Sequence, residues 1–383
     1  MSYDYSEDGL VEEPTQQVLE GLGWTVKTAW HNETFASKDD RSTGLLGRCN
    51  KSEVILERYL LQALIQLNPD CPVTAYQQAI QTITGKIADK SIAAINKGKY
   101  ELLKNGVDVS FKDANGQDQN RKLQVFDFNQ PENNHFLAVR QLEINGALYN
   151  RRPDVIGFVN GIPLVFFELK AHHTNLRHAF DDNLTDYKAT IPDLFYCNAL
   201  VILSNGLDAK VGTITSPYQF FLEWKRIDEQ DTGVGIVPLD TLLQGTCDKT
   251  RLMDLFENFL LFDGEGDTVT KLMAKNHQYL GVNKVVDKAR NLADLERKLG
   301  VFWHTQGSGK SYSMVFLCQK ILRKFGGGMT FLIVVDRSEL ESQIYDTFTG
   351  VGVVTEKNVK ASSREHLRQL LQENHRYLFT LIH

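Results

Sequence analysis

Two carboxylates and a lysine near the middle of the chain have the types and spacing needed for metal-assisted hydrolysis. Asp154 ends the sequence RRPD, and Glu168 and Lys170 stand two residues apart further along the chain. Residues two apart on a strand share one face, and two converging carboxylates suit Mg²⁺. A bound metal lowers the pKa of its water and neutralises phosphate charge, while a nearby lysine can orient that water or help deprotonate it. The pattern is compatible with a metal site in which Asp154 and Glu168 are the ligands and Lys170 acts on the water.

A surface hairpin with scattered charges would contain the same residues. Against that alternative, Glu168 closes the apolar run Leu164–Phe167, and a charge at the end of a buried strand is costly unless it is paired or metal-bound. If Asn160-Gly161 formed a plain two-residue turn, Asp154 would lie opposite Phe167 and Glu168 would face away. We therefore expect a three-residue connection or a compensating β-bulge, either of which pairs Asp154 with Glu168.

A second group of residues, WHTQGSGKS at 303–311, has the features of a phosphate-binding loop. The strict pattern G-x-x-x-x-G-K-[ST] would place glycine at position 304, where this chain has histidine. The glycines still let backbone N–H groups turn toward phosphate, and the helix starting near Lys310 points its positive end at the same anion. Lys310 would contact the β- and γ-phosphates of ATP, and Ser311 would bind Mg²⁺. The complete predicted set is Gln306, Gly307, Ser308, Gly309, Lys310 and Ser311.

The elements that position the first group are helices followed by strands. Apolar spacing predicts helices over 10–23, over 53–67 with Ser52 as the cap, and over 73–104 in two pieces. Alternating and continuous apolar runs then predict strands, with a further helix over 175–190 before the last of them. These strands are predicted at 107–111, 123–128, 136–144, 155–159, 162–169 and 199–204.

A second region follows an acidic, turn-rich segment at 228–250. We place a boundary near 255–260, which predicts one domain over 1–258 and another over 259–383. The second region reads as a βαβ unit, and such a unit implies a parallel sheet. Because its last residues, TLIH, look like the start of another strand, we expect the chain to be part of a longer protein. Its predicted elements are a helix at 286–298, a strand and loop at 300–309, a helix at 310–325 and a strand at 330–335.

The composition is typical of a soluble globular protein. Of 383 residues, 42% are hydrophobic and 23% are charged. No apolar run approaches the roughly 18 residues needed to cross a membrane, and the acidic N-terminus does not resemble a secretory signal. Five widely spaced cysteines without a CxxC pair argue against a disulfide framework or a zinc site. These features favour a reducing cytoplasm.

The net charge of −6 is unusual for a dedicated DNA-binding domain. If the protein works on DNA, its contacts must be local patches, or partner subunits must supply most of the affinity. One basic stretch is a candidate patch, although a solvated helix face explains it at least as well. This stretch contains Lys86, Lys90, Lys97, Lys99 and Lys104.

The three residues of the first group match the short motif of PD-(D/E)xK nucleases. The wider context is more specific, because it resembles the restriction subunit of type I restriction-modification enzymes over essentially the whole chain. The resemblance implies an α/β protein in which a PD-(D/E)xK nuclease domain, a mixed sheet flanked by helices, precedes the start of a RecA-like superfamily 2 helicase domain. Superfamily 2 helicases relax the first glycine of the phosphate loop. The segments that carry the resemblance are SEDGLVEE, LGW, LQALIQLNP, GVDVSF, RRPDVIGFVNGIPLVFFELK and WHTQGSGKS.

The resemblance also implies roles for single residues. The first group would be the catalytic triad, and a carboxylate on the first helix, here Glu13, would join the outer shell of the metal. Related nucleases carry Q-x-x-x-Y on the helix after the lysine. The match here runs from Asn183 to Tyr187, and asparagine in place of glutamine puts the DNA contact of Asn183 in doubt. Tyr187 is a candidate DNA contact or a core residue.

Two residues of the second region resemble helicase elements. Gln278, in KNHQYLGVNK, would read the edge of adenine, although a single glutamine is as often a surface residue. Arg337 follows the apolar run FLIVVD, where such helicases contact the DNA backbone. No D-E-x-H sequence follows Lys310, and no second motor domain is present. We therefore expect the 383-residue chain by itself to lack ATPase activity.

The resemblance implies a Mg²⁺-dependent DNA endonuclease coupled to ATP-driven DNA translocation. It would use Mg²⁺ and ATP, act on double-stranded DNA, and assemble with specificity and methyltransferase subunits. One alternative is a RecB-like repair nuclease-helicase, which the sequence beyond residue 383 would separate from the first interpretation. The other is a motor scaffold with a decayed nuclease, and the intact catalytic pattern argues against it.

Overall fold

The computed structural model describes residues 11–87, 90–113, 115–228, 230, 237–293 and 295–383. Contacts within the chain divide it into two units. The first extends to Glu257 and also includes Glu265–Lys271, and the second consists of Asn258–Gly264 and Leu272–His383. Within the described ranges, no helix combines the length and the apolar character needed to span a membrane.

A six-stranded mixed sheet forms the centre of the first unit, in agreement with the predicted mixed α/β fold. The strands of this unit are β1 (Thr25–Thr28), β2 (Val107–Lys112), β3 (Asp118–Leu123), β4 (Phe136–Arg140), β5 (Ile144–Asn145), β6 (Asn150–Arg151), β7 (Val155–Val159), β8 (Ile162–Leu169), β9 (Leu200–Ser204) and β10 (Ala209–Gly212). The large sheet has the order β1-β4-β7-β8-β9-β10, while β2–β3 and β5–β6 form separate pairs. β7, β8 and β9 are buried along their whole lengths, as expected for central strands covered on both faces.

Helices supply the rest of the first unit, at most of the predicted places. They are α1 (Glu13–Gly21), α2 (Glu57–Leu67), α3 (Val73–Thr84), α4 (Ile92–Asn105), α5 (Thr185–Thr190), α6 (Pro238–Cys247) and α7 (Lys249–Asn258). A π-helical segment, Ala179–Leu184, leads directly into α5. The predicted cap at Ser52 is wrong, because α2 begins at Glu57 and the Ser52 N–H donates to the Asn50 side chain instead.

Two strand predictions in the first unit are wrong for local reasons. Residues 124–128, predicted as part of a strand, lie outside any strand, whereas β3 occupies Asp118–Leu123, almost entirely before the predicted strand. The hairpin between β2 and β3 closes because the Gly116 N–H donates to the Asp113 carbonyl and the Asp113 N–H donates to the Gln117 carbonyl, which shifts the second strand toward the N-terminus. The strand predicted over 136–144 ends at Arg140, since Gln141 adopts a positive φ of 50° that breaks extended backbone.

The predicted basic stretch does not form one exposed face. Lys99 is buried, and its Nζ donates to the carbonyl oxygens of Thr82, Ile83 and Gly85 at 3.0, 2.6 and 2.8 Å. These carbonyls belong to the last turn and cap of α3, which lacks intrahelical partners for them. Lys99 therefore stabilises the end of a helix, and burial lowers the pKa of its ammonium group.

The second unit contains a parallel pair of strands. From residue 260 onward the elements are β11 (Leu260–Asp263), β12 (Thr270–Met273), α8 (Asn276–Arg290), α9 (Lys310–Phe325), β13 (Phe331–Val335), α10 (Ser338–Gly350), α11 (Arg364–Leu370) and β14 (Tyr377–Leu381). β13 and β14 pair in parallel, which confirms the parallel sheet predicted for this region. α9 has the predicted bounds.

Two predictions in the second unit are wrong. The helix predicted at 286–298 is α8, which starts ten residues earlier, at Asn276, where the Gln278 side chain accepts from the Lys275 N–H at 2.8 Å and fixes the first turn. It ends at Arg290, and Glu296 and Arg297 adopt positive φ angles that a helix cannot contain. No strand is described within 300–309, and none of the described sheets includes these residues.

Candidate functional site

Five strands of the large sheet begin or finish at the same end of the sheet. Thr28 at the end of β1 pairs with Arg140 at the end of β4, and Arg140 pairs with Val155 at the start of β7. Val155 in turn pairs with Phe167 of β8, whose last residues run parallel to the end of β9. Asp154 precedes Val155 and Glu168 follows Phe167, so the sheet brings both residues to this end.

A β-bulge sets the register that places the two carboxylates opposite each other. Asn160 and Gly161 form a two-residue turn with φ angles of 49° and 79°, which suit the tight turns of hairpins. Phe158 pairs with Pro163, but the next pair joins Gly157 to Val165, so β8 carries one extra residue. The compensating bulge that we predicted from the sequence is therefore confirmed. Without it, Glu168 would point to the other face of the sheet.

The three residues of the predicted triad lie together. Glu168 is fully buried, and the Nζ atom of Lys170 donates to Glu168 Oε1 at 2.8 Å. Asp154 Oδ2 accepts a hydrogen bond from the backbone N–H of Leu169 at 2.7 Å, and this residue lies between the other two. The Lys170 side chain keeps 15% of its surface exposed, so solvent reaches the cationic side of the site.

Tyr187 packs in the core beneath this site. Its ring meets Phe166 edge to face, with centroids 5.8 Å apart. Burial is the largest cause that raises the pKa of Tyr187, and the negative charges of Glu168 and Asp154 raise it further. Asn183, one helical turn earlier, acts in the opposite direction and lowers the pKa of Tyr187. The predicted motif therefore forms a connected pair whose tyrosine is a core residue within the electrostatic field of the carboxylates.

Arg151 and Asp186 fix the helix that carries Tyr187. Arg151 makes two hydrogen bonds to the Asp186 carboxylate, one of them at 2.9 Å from Nη2 to Oδ1. The hydrogen bond from this guanidinium holds the pKa of Asp186 below its usual value. The pair joins β6 to α5 and thereby sets the position of Tyr187.

The first helix presents a different carboxylate from the one predicted. Glu13 is exposed, whereas Glu12 is buried and forms an ion pair with Arg140 at 3.1 Å. Glu12 also accepts from the Gln141 side chain at 3.2 Å, and the Gln141 N–H donates to the backbone oxygen of Asp154. Glu12, rather than Glu13, is thus connected to the site. A helical stripe through 12, 15 and 19, buried at each position, is the signal that the sequence interpretation missed.

The two carboxylates of the site could form only part of a metal coordination shell. Among the described residues, no group of three or more His, Cys, Asp and Glu side chains is arranged to hold a metal ion. Asp154 and Glu168 would contribute two oxygen ligands. Mg²⁺ takes six oxygen ligands and commonly keeps several waters beside one or two carboxylates and a substrate phosphate. The donor set therefore fits a Mg²⁺ ion that is bound together with a phosphate.

The glycine-rich loop of the second unit has the predicted backbone. Gly307 and Gly309 adopt φ angles of 77° and 87°, which side chains disfavour, and α9 begins directly after Gly309. Lys310 Nζ donates to the carbonyl oxygens of His304 and Thr305, each at 2.9 Å. The lysine side chain therefore lies across its own loop.

Gln278 has partners inside the protein. Its Nε2 donates to the Gly309 carbonyl at 2.8 Å and to Ser313 Oγ at 3.3 Å, and its Oε1 accepts from the Lys275 N–H at 2.8 Å. Both ends of the amide are thereby engaged with the loop and with its own helix start. Adenine recognition by Gln278 stays a prediction, and in this geometry the residue supports the glycine loop. Arg337 is exposed directly before α10, next to Asp336.

The fold and the site define an α/β protein with a carboxylate–lysine site at one end of a mixed sheet, together with a glycine-rich loop at the start of a helix. Residues 4–220 match the family described as "Type I restriction enzyme R protein N terminus", and the chain belongs to this family. Residues 277–383 match the SWI2/SNF2 ATPase family. The resemblance to a restriction subunit is thus confirmed, and it favours restriction over the repair alternative.

Curated relatives agree with the family match. The chain is 35% identical over 378 residues to the type I restriction enzyme HindI endonuclease subunit of Haemophilus influenzae, covering 95% of this chain and 35% of that protein. It is 25% identical over 220 residues to the type I restriction enzyme SsaAORF53P endonuclease subunit of Staphylococcus saprophyticus, covering 56% of this chain and 22% of that protein. The chain therefore spans about a third of the length of the Haemophilus relative.

Proposed function

We propose that the first unit is a Mg²⁺-dependent DNA endonuclease whose catalytic residues are Asp154, Glu168 and Lys170. The observation that carries the proposal is the bulged pairing of β7 with β8, which puts both carboxylates on one face beside the lysine. The curated relatives are named as endonuclease subunits of type I restriction enzymes, and this supports DNA as the substrate.

Each side chain has a role that follows from its contacts. Asp154 and Glu168 would hold the ion, which would supply charge neutralisation and an acidified water at the scissile phosphate. Lys170 can orient and help deprotonate the attacking water, because its Nζ is held 2.8 Å from Glu168 and stays partly exposed. The Glu12–Arg140 pair holds the end of β4, where Gln141 contacts the Asp154 backbone.

The second unit would bind ATP through 306–311 and couple its hydrolysis to movement along DNA. Exposed loop amides, the start of α9 and Lys310 supply the positive groups that a triphosphate requires. Ser311 would complete the shell of a nucleotide-bound Mg²⁺, and Arg337 would contact the DNA backbone. The match to SWI2/SNF2 ATPases supports this assignment. Specificity and methyltransferase subunits would be the partners that select the DNA.

The test compares Glu168→Gln with the wild-type chain in the complete restriction assembly. We expect DNA cutting to fall by at least about 100-fold, because the substitution removes a metal-binding charge but keeps the shape of the side chain. ATP turnover should persist. Glu53→Gln is a matched control, since Glu53 is also paired with a cation, Arg41, at 2.7 Å. Normal cutting by Glu168→Gln would refute the nuclease assignment.

A further inference from the structure

Two neighbouring arginines before the catalytic aspartate have different partners. Arg151 is engaged by Asp186 through two hydrogen bonds. Arg152 is exposed, and its guanidinium carbon lies 3.6 Å from the centroid of the Trp30 ring. In the part of the chain that the structure describes, Arg152 makes no hydrogen bond or ion pair with a protein group. Of the two, Arg151 is tied into the fold, and Arg152 has its hydrogen-bonding groups available.

Stacking on tryptophan orients a guanidinium without using its donors. The ring contacts the flat face of the group, and the five N–H donors point outward in its plane. Because the plane is fixed in advance, little conformational entropy is lost when those donors bind a partner. The partner that matches this planar fork is a carboxylate or a phosphate, bound through two parallel hydrogen bonds.

Trp30 and Asp154 lie at the same end of β4. The Ala29 N–H donates to the Arg140 carbonyl at 2.9 Å, and Trp30 is the next residue. On the other side of β4, the Gln141 N–H donates to the Asp154 carbonyl at 2.8 Å. The stack of Arg152 on Trp30 therefore lies at the same end of the sheet as the carboxylates.

An open cavity of about 380 Å³ adjoins this stack. Its lining includes Trp30 and Gln141, the residues on the two sides of the strand end. The nearby carboxylates Glu33 and Glu143 are paired with Arg48 and Lys51, so they are not the partners that Arg152 lacks. The remaining partner for an exposed, pre-oriented guanidinium beside a phosphodiesterase site is a phosphate of the substrate.

We propose that Arg152, held flat by Trp30, binds a DNA backbone phosphate next to the one that is cleaved. Arg152 is then a positioning residue that sets the DNA strand against Asp154 and Glu168. The proposal rests on the proposed nuclease function. It assigns to the sequence RRPD one arginine that fixes the fold and one that holds substrate.

The first test measures binding of a short DNA duplex to the 383-residue chain over a series of salt concentrations. Loss of one phosphate contact lowers the slope of log affinity against log salt by about 0.9, and we expect this change in Arg152→Ala. Affinity at low salt should fall roughly tenfold, since hydrogen bonds to charged groups contribute on that scale. Arg121→Ala is the matched control, because Arg121 is also exposed and lies 6.0 Å from the Phe111 ring on a separate hairpin. It should leave the slope unchanged.

The second test separates substrate contact from a structural stack. Arg152→Lys should keep the salt slope but cut DNA more slowly in the complete assembly. The lysine ammonium keeps the positive charge but cannot form the two parallel hydrogen bonds of a guanidinium. Trp30→Leu should also keep the slope and slow cutting, and Trp30→Phe should restore much of the loss.

The proposal is overturned if Arg152→Ala changes thermal stability but not the salt slope, since the stack would then only tether the chain. Absence of binding by the wild-type chain at low salt would overturn it as well. Both results are distinct from failure of the nuclease assignment, which the Glu168→Gln assay in the assembly decides independently.

Discussion

Asp154 and Leu169 are joined by a hydrogen bond of 2.7 Å from the Leu169 N–H to Asp154 Oδ2. This bond links the residue before β7 to the residue between Glu168 and Lys170. The carboxylate of Asp154 is thus oriented by the backbone that carries its two partners. Such orientation before substrate binding is what electrostatic catalysis requires.

Replacing Asp154 by asparagine should separate charge from geometry. The amide oxygen can still accept from Leu169, so the unfolding free energy should change by less than about 1 kcal/mol. The metal-binding charge is lost, and cutting should fall by at least about 100-fold. Asp154→Ala should lose cutting and about 1 kcal/mol of stability as well. Plasmid cleavage and urea unfolding measure the two effects; equal stability losses in both variants would contradict this role of the hydrogen bond.

Tyr187→Phe should test the hydroxyl that Asn183 contacts. Packing against Phe166 is retained, so the stability loss should be at most about 1 kcal/mol, the usual contribution of one hydrogen bond. Cutting should fall roughly tenfold if the hydroxyl orders the carboxylate side of the site. The control is Tyr76→Phe, which removes a buried hydroxyl bonded to the Asn68 carbonyl at 2.7 Å. Comparable cutting by the two variants would limit Tyr187 to a packing role.

Gly161→Ala should destabilise the first unit by more than left-handed strain alone. Gly161 has φ 79°, and an added Cβ would lie 2.3 Å from the Leu56 carbonyl oxygen. Gly116 has the same φ of 79° with no atom within 4 Å of the added carbon, so Gly116→Ala isolates the strain. The control should cost about 1–2 kcal/mol and Gly161→Ala clearly more. Chemical denaturation decides the comparison, and similar losses would mean that the Leu56 contact relaxes.

Lys271 should give the first unit a stability that rises with pH. The side chain is fully buried, its Nζ donates to Asn96 and to the Asn198 carbonyl, and burial lowers its pKa to about 7. Between this value and the ordinary value of 10.5, the unfolded chain binds a proton that the folded chain does not. The unfolding free energy should therefore increase as pH rises above about 7, and the full penalty is present below it.

The check for this pH dependence is urea unfolding of wild type, Lys271→Met and Lys112→Met between pH 7 and 8.5. The difference between wild type and Lys271→Met should change with pH in the stated direction. Lys112, which is 70% exposed on the β2–β3 hairpin, serves as the control and should follow wild type. A difference that is constant over this pH range would show that Lys271 keeps its proton in the folded state.

Lys310→Ala should weaken ATP binding. Lys310 can turn from the His304 and Thr305 carbonyls to the β- and γ-phosphates, where its charge is worth more. We expect a loss of about tenfold or more, measured by titration with a fluorescent ATP analogue. Lys324, at the opposite end of α9, provides the control. Unchanged affinity in Lys310→Ala would remove the loop from the nucleotide site.

The sequence alone predicted several local features of this protein, namely strands, a loop and a β-bulge. Continuous apolar runs predicted β7, β8 and β9, and the positions of Gly307 and Gly309 predicted a loop with positive φ angles. Even the bulge followed from a local constraint, because a two-residue turn would have put Glu168 on the wrong face. Such features depend on side-chain periodicity and backbone sterics within a few residues, and the sequence specifies these directly.

Tertiary structure decided which polar groups meet. Burial selects Glu12 over Glu13, because the side of α1 that faces the sheet is set by packing against distant strands. Similarly, Arg151 pairs with Asp186, while its neighbour Arg152 stacks on the ring of Trp30. These partners are separated by up to 128 residues in the chain. Their encounters depend on sheet order and register, which no local pattern encodes, and so adjacent residues of the same type acquire different roles.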